Sequence, residues 1–448
     1  MALTGIEIFK MLPKTNCKEC GFPTCLAFAM ALASGKAELA ACPYVSEEVR
    51  EKLAEASAPP IRPVKIAMKD AEKVIGGELV MFRHEKTFFN PPLIAGLLTT
   101  AMSDAQVDAQ LDAFTKMQYE RVGLMLRPEM FALKDLGDAA RFTALAKKVA
   151  DKTDAALMLM SDNVDNLKAA AEAVKDRKPV LYAATAANAE AMGALAKELG
   201  VPVVAKADNY DALAELSTKL TGMGLKDLIL DSGSRTLKQA FQDQVVIRRA
   251  ALGPKFRPFG FPTVTFPCEM TDDPMKEVMY AATFIAKYGG IVVLSSLEPH
   301  RVFPLLLQRL NIYTDPQKPM IVTQGIYPIN NPDENSPIAI TTNFALTYFI
   351  VSGEIEGSKV PTWLLIKDTE GLSVMTAWAA GKFSGDDVGQ FVKKCGITEK
   401  AKTRTLIIPG YAAAISGDLE EELPDWKILI GPREASHIPA FLRSLQQQ

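Results

Sequence analysis

Four cysteines near the start of the chain are the residues whose type and spacing point most directly to chemistry. Cys17-Lys-Glu-Cys20-Gly-Phe-Pro-Thr-Cys25 is followed by Cys42-Pro43, a C-x2-C-x4-C-x16-C pattern. Four thiolates are the usual ligand set of a [4Fe–4S] cubane, and local pairs plus a distant fourth ligand are how loops wrap one. Gly21 permits close backbone approach beside a ligand. Cys25 at a helix start would set unpaired N–H groups and the positive end of a helix dipole against an anionic cluster. Zinc is the alternative, but structural zinc sites usually draw ligands from two short pairs, which the x4 and x16 gaps fit poorly. Clustered cysteines in a reducing cytoplasm more often bind metal than form disulfides. The isolated Cys268 and Cys395 are expected to be structural.

A second set of chemistry-bearing residues lies near the C-terminus. Ile340-Thr-Thr-Asn343, Asp368-Thr-Glu-Gly371-Leu-Ser373-Val374, Pro409-Gly410-Tyr411 and Gly431-Pro432-Arg433 each follow a short apolar run and open a helical pattern. Open parallel sheets bind ligands outside the carboxyl ends of their strands. Glycines there admit a bulky planar ligand, while helix N-termini and Arg433 suit a phosphate. Ordinary cap and loop chemistry would explain the same residues. Asp231-Ser-Gly-Ser-Arg235 also sits at a predicted strand end, but no nucleophile–base pair or metal triad accompanies it, and a helix cap with a turn glycine is the simpler reading.

These residues must be positioned by an α/β multidomain chain. Residues 1–57 hold the cysteines and two short helical patterns, one over about 25–34 capped by Thr24 and stopped by Gly35, the other following Ser46. Three prolines among residues 59–63 open a spacer over 58–77, because they cannot continue a helix. Its small apolar surface leads us to expect a cluster module that moves. From 78 to 318, apolar runs at 78–82, 121–126, 156–160, 179–182, 202–206, 228–231, 262–266 and 291–294 alternate with helical stretches. Eight such units predict a (β/α)8 TIM-like barrel, with an open doubly wound sheet as the alternative. From 319 to 448, strands near 320–323, 338–341, 363–366, 405–408 and 427–430, with helices between, predict a small Rossmann-like domain.

Composition bounds the function. With 50 basic and 53 acidic residues the net charge is -3, against a nucleic-acid binder. No apolar run approaches the roughly 18 residues of a membrane span, and no secretory signal pattern opens the chain. A cytoplasmic location is expected.

The cysteine segment from Leu12 through Pro43 resembles the small iron–sulfur domain of corrinoid/iron–sulfur protein large subunits. Leu310-Asn-Ile-Tyr-Thr-Asp-Pro316, Glu334-Asn-Ser-Pro-Ile-Ala-Ile-Thr-Thr-Asn-Phe344, Asp368 to Ser373 and Ile408 to Tyr411 resemble the same family, and the likeness covers essentially the whole chain. The resemblance implies a methyl carrier of the reductive acetyl-CoA pathway. Its cobamide takes a methyl group on Co(I) from methyltetrahydrofolate through a methyltransferase and passes it to CO dehydrogenase/acetyl-CoA synthase. The [4Fe–4S] cluster returns Co(II) to Co(I). Implied partners are a smaller subunit completing a heterodimer, that methyltransferase, the synthase, and a ferredoxin or reductive activator. The family's corrinoid site maps onto Thr341, Thr347, Gly371, Leu372, Ser373 and Val374, and onto the turn holding Gly431 and Arg433.

No Asp-x-His-x-x-Gly motif occurs, so the cobamide is expected base-off, without a protein histidine as lower ligand. His84, His300 and His437 are the only histidines and are expected to be structural or solvated. Two other functions compete: a cobamide-free electron-transfer subunit, and a barrel methyltransferase acting on a pterin.

Overall fold

The computed structural model describes residues 5–33, 37, 39–46, 49–50, 53, 59–121, 123–315 and 317–446. The expected stop at Gly35, and most of the helix expected after Ser46, lie outside them. The chain divides into two compact units, Met1–Met117 with Arg127–Tyr313, and Gln118–Leu126 with Thr314–Gln448. No helix among the described residues is long and apolar enough to cross a membrane.

At the start of the first unit, helices Gly5–Met11 and Cys25–Ala33 pack together. Ile8, Leu12, Phe28, Ala29, Val45 and Leu53 share a core with Cys25 and Cys42. Thr24 caps the second helix as expected, accepting from the Ala27 N–H at 3.1 Å.

The rest of this unit is a closed parallel barrel of eight strands: Leu93–Thr99, Met130–Lys134, Ala156–Met160, Val180–Ala184, Val203–Lys206, Leu228–Asp231, Thr263–Thr265 and Gly289–Leu294. A helix follows each strand, from Asp104–Lys116 to Pro299–Tyr313. Strand side chains alternate by position. Ala156, Met158 and Met160 point into the barrel core, while Leu157 and Leu159 are buried outside that cluster. Burial on both sides is why these strands read as continuous apolar runs.

Two expected strands are corrected. Residues 78–82 are not a strand, and the first barrel strand is Leu93–Thr99. Of the run at 121–126, the described residues 121 and 123–126 belong to an antiparallel hairpin, Tyr119–Arg121 with Leu124–Leu126, which groups with the second unit. The second barrel strand is Met130–Lys134. The spacer is also corrected. Val64–Ala67 and Glu72–Ile75 form a hairpin whose Val64, Ile66 and Ile75 enter the barrel core. The Lys69 N–H donates to the carbonyl of Asp154, just before a barrel strand, so the hairpin closes the N-terminal end of the barrel. Residues 59–62 are tied down too: Arg62 N–H donates to Gly260 O at 2.9 Å and Arg257 donates to Pro59 O at 3.2 Å. The small apolar surface assumed for the spacer therefore does not hold for residues 59–75.

The second unit carries a five-stranded sheet in the order Gly325–Ile329, Thr362–Lys367, Ile338–Thr342, Thr405–Ile408, Lys427–Ile430. The first strand is antiparallel and the other four are parallel. Residues 320–323, expected as a strand, contribute only an isolated bridge from Ile321 to Phe344. The missed strand Gly325–Ile329 contains Pro328, which a sheet tolerates at its edge. Cores lie on both sheet faces, one around Ile338, Ile340 and Phe383 and the other around Ile355, Leu364 and Leu442. Strand order reverses at Ile338–Thr342, which leads to Thr362–Lys367 on one side and Thr405–Ile408 on the other. A doubly wound sheet opens a crevice at such a switch point.

Candidate functional site

The four clustered cysteines gather around one small core. Cys25 and Cys42 are buried in it, Cys20 packs against it, and Cys17 stands on the exposed loop that leads into the helix. None forms a disulfide. Among the described residues, no three His, Cys, Asp or Glu side chains stand close enough to hold a metal ion as they are placed. The loop is nevertheless built to curve. Lys14, Asn16, Lys18 and Gly21 all adopt positive φ, and the Asn16 side chain accepts from the Cys25 N–H at 2.8 Å. A Cβ at Gly21 would meet nothing within 4 Å. Four free thiols at this spacing, one at a helix start, are a soft donor set that fits an iron–sulfur cluster.

The second site lies at the switch point. A cavity of about 290 Å³ opens at the carboxyl ends of Ile338–Thr342 and Thr405–Ile408. Ile350, Val351 and Ile355 of helix Ala345–Ser358 face it, with Ile438, Phe441 and Leu442 of helix Ile438–Leu445. Its polar groups are Thr341, Thr347, Ser373, Tyr411 and Arg433. Thr341 is 2% exposed, and its Oγ1 has no hydrogen-bond partner. An unpaired buried hydroxyl costs stability unless something completes it, so this atom fits a polar ligand in the groove. Gly410 explains how the rim closes. A Cβ there would stand 2.5 Å from the Gly431 carbonyl oxygen, so only glycine lets the 409–411 and 431–433 loops meet.

Six of the eight residues expected to contact the corrinoid line this cavity: Thr341, Thr347, Ser373, Val374, Gly431 and Arg433. Gly371 and Leu372 do not. Gly371 is buried under the loop at φ +76, where a Cβ would stand 2.6 Å from Ile321, and Leu372 packs against the sheet core. The apolar walls were missed because they carry the same pattern as core residues. Tyr411 lay within a noted strand-end motif but was not singled out; its hydroxyl donates to Glu434 at 2.9 Å, and Arg433 stands 6.0 Å from its ring.

The histidines lie apart from this groove's lining. His84 stacks on Phe82, His300 pairs with Glu298 at 3.4 Å, and His437 is exposed in the short turn before helix Ile438–Leu445. In the barrel, Asp231 ends its strand 2% exposed and is engaged by Tyr182 and Arg235. The helix after this loop is capped by Thr236. Burial pushes the Cys268 thiol well above its ordinary range, consistent with an inert, partly buried residue packed against the barrel core.

Residues 63–442 match the family described as CO dehydrogenase/acetyl-CoA synthase delta subunit, and residues 12–44 match the family described as "Putative Fe-S cluster". The chain is 44% identical over 445 residues to a corrinoid/iron-sulfur protein large subunit of Moorella thermoacetica, covering 99% of each. It is 35% identical over 453 residues to an acetyl-CoA decarbonylase/synthase complex subunit gamma of Methanopyrus kandleri, covering 98% of this chain and 97% of that one. A gamma 2 subunit of the same complex from Methanosarcina thermophila is 36% identical over 457 residues, covering 97% of each.

Proposed function

The chain belongs to the family of corrinoid/iron–sulfur protein large subunits and acetyl-CoA decarbonylase/synthase gamma subunits, and from that premise we propose that it is a corrinoid-dependent methyl carrier of anaerobic acetyl-CoA synthesis. The observation that carries this reading is the unpartnered, buried Thr341 hydroxyl in an apolar groove at the sheet's switch point. When bound, the cobamide supplies a cobalt that accepts and yields a methyl group, and the [4Fe–4S] cluster supplies the electron that restores its reduced state.

The chain's own residues bind and position. Thr341, Thr347 and Ser373 offer hydroxyls at the groove, Val374 and the isoleucines exclude water, and Arg433 provides a cation for a phosphate. Cys17, Cys20, Cys25 and Cys42 would hold the cluster. A smaller subunit of the same carrier, a methyltetrahydrofolate-dependent methyltransferase and CO dehydrogenase/acetyl-CoA synthase are the partners this role requires, with a ferredoxin or reductive activator as electron source. All belong to the cytoplasm.

The test is cofactor analysis of the anaerobically purified protein for iron, sulfide and cobalt, together with its visible spectrum. Corrin bands that shift on reduction, above a broad thiolate-to-iron absorption, are expected. Iron and sulfide without cobalt, and no corrin bands after incubation with hydroxocobalamin and the smaller subunit, would overturn the carrier and leave an electron-transfer subunit.

A further inference from the structure

We propose that Asn343, which does not itself line the groove, is the positioning residue that holds the 368–373 loop in its ligand-binding shape. This rests on the corrinoid reading above. Asn343 follows the strand Ile338–Thr342 and is 2% exposed. Its Oδ1 accepts from the Thr369 N–H at 3.0 Å, the Gly371 N–H at 3.0 Å and the Thr369 hydroxyl at 3.1 Å. Its Nδ2 donates to Asp368 Oδ1 at 2.7 Å, the same oxygen that accepts from the Glu370 N–H at 2.9 Å. Its backbone joins the neighbouring segments, donating to Lys367 O and accepting from Val322 N, each at 2.9 Å.

The loop needs such a hub because its own backbone is unfavourable. Glu370 sits at φ +56 and Gly371 at φ +76, successive left-handed residues, and only the second is a glycine. A conformation of this kind persists when its surroundings over-determine it. Thr369 adds an internal tie, since its one hydroxyl proton has Leu372 O at 3.0 Å as the alternative acceptor to Asn343 Oδ1. The result delivers Ser373 and Val374 to the groove. Asparagine alone suits the position, since one end of its amide accepts backbone N–H groups while the other donates to a carboxylate. Aspartate there would lose the donor and face Asp368.

The experiment uses the full chain paired with its smaller subunit and titrated with hydroxocobalamin, with hydrogen exchange measured on the ligand-free pair. In Asn343→Ala the amides of Thr369 and Gly371 should lose protection while those of the strand Thr362–Lys367 keep theirs. Affinity should fall on the order of 10- to 100-fold, the range typical when an outer residue orienting a site is removed. Asn343→Asp should be at least as weak, and Asn343→Asp with Asp368→Asn should recover part of the affinity by restoring one donor and one carboxylate. Unchanged affinity in Asn343→Ala, with wild type binding normally, would overturn the proposal and leave the corrinoid reading standing. So would weak binding of both aspartate variants with both amides still protected. If Asn343→Ala does not fold, the single and double aspartate variants decide the matter. Absence of binding by wild type would overturn the corrinoid reading itself, and this inference with it.

Discussion

The guanidinium of Arg235 meets both carboxylate oxygens of Asp231, Nη1 to Oδ1 at 3.1 Å and Nη2 to Oδ2 at 2.9 Å, across the C-terminal mouth of the barrel. Its Nε donates to Glu269 at 2.6 Å, and it lies 4.6 Å from the Phe266 ring centroid. Glu269 accepts from Lys134 at 2.7 Å, and the Tyr182 hydroxyl donates to Asp231 at 2.7 Å. Two cations thus neutralise two anions where barrels of this architecture carry their active sites.

Removing Arg235 should therefore cost stability before it costs cofactor binding. Arg235→Ala leaves Asp231 buried with its charge partner gone, which is worth about 3 kcal/mol. Urea denaturation should show that loss, with hydroxocobalamin affinity unchanged. A stable Arg235→Ala protein that cannot support methyl transfer would give the mouth a chemical role.

The same network sets a pH dependence. Burial raises the Glu269 carboxyl, but hydrogen bonds and charge from Lys134 and Arg235 outweigh it and hold the group below its ordinary value. Its stabilising contribution is then fully present above the unfolded-state value of about 4.3 and lost as pH falls through the lower folded-state value. Lys134→Met should narrow this difference. Its stability deficit relative to wild type should be largest near neutral pH and shrink below the ordinary carboxylate range. A deficit independent of pH between about 3 and 7 would mean that Lys134 acts by packing alone.

The orphan hydroxyl of Thr341 gives a prediction with two signs. Valine keeps the shape and removes the unpaired polar atom, so ligand-free Thr341→Val should match wild type or gain about 1 kcal/mol. Its affinity for hydroxocobalamin should fall, and Thr341→Ser should retain it. Equal affinity in wild type and Thr341→Val, from titration of the corrin spectrum, would remove Thr341 from the site.

How much of this was legible depends on the range of the interaction. The alternation of Ala156, Met158 and Met160 with Leu157 and Leu159 is local, and it marks a strand buried on both faces. The runs at 78–82 and 121–126 have comparable apolar character, yet what decides a strand is a partner at the right register, which no short window contains. Strand-end and loop residues such as Thr341, Ser373 and Gly431 announce themselves through hydroxyls and glycine after apolar runs. Ile355, Ile407 and Phe441 do not, because a groove wall and a core wall have the same composition. Asn343 stands in the 340–343 motif, but its role is not legible there for another reason: its side-chain partners lie 25 to 28 residues further along the chain.

The cysteines separate into two classes by position, and their replacement should separate them by metal content. Serine at Cys17, Cys20, Cys25 or Cys42 should prevent assembly of an intact four-iron cluster, which needs all four thiolates. Serine at Cys268 or Cys395, whose thiols burial raises above their ordinary range, should leave iron and sulfide unchanged. Normal iron content in Cys42→Ser together with loss in Cys395→Ser would reverse the ligand assignment.

The last prediction concerns the lower face of the cobamide, which should lack a protein nitrogen ligand. His437 is the sole histidine of the C-terminal unit. It is exposed in the turn before helix Ile438–Leu445, where the cavity's neighbouring lining residues are Ala435 and Ile438. An axial nitrogen donates electron density to cobalt and stabilises Co(II) over Co(I). Its absence raises the Co(II)/Co(I) potential towards the reach of a low-potential cluster, and each 59 mV of a one-electron couple is a factor of about ten in equilibrium constant. The axial position is one of the levers by which a protein tunes a bound metal. Electron paramagnetic resonance of the Co(II) state reads this directly, because a coordinated nitrogen splits each cobalt line through its nuclear spin while water or an empty site does not. Unsplit lines are expected in both wild type and His437→Ala. Split lines in wild type that collapse in His437→Ala would identify the histidine as a ligand and sink the prediction. Splitting that survives in His437→Ala would assign the nitrogen to the cobamide's own base, and the cofactor would then be base-on.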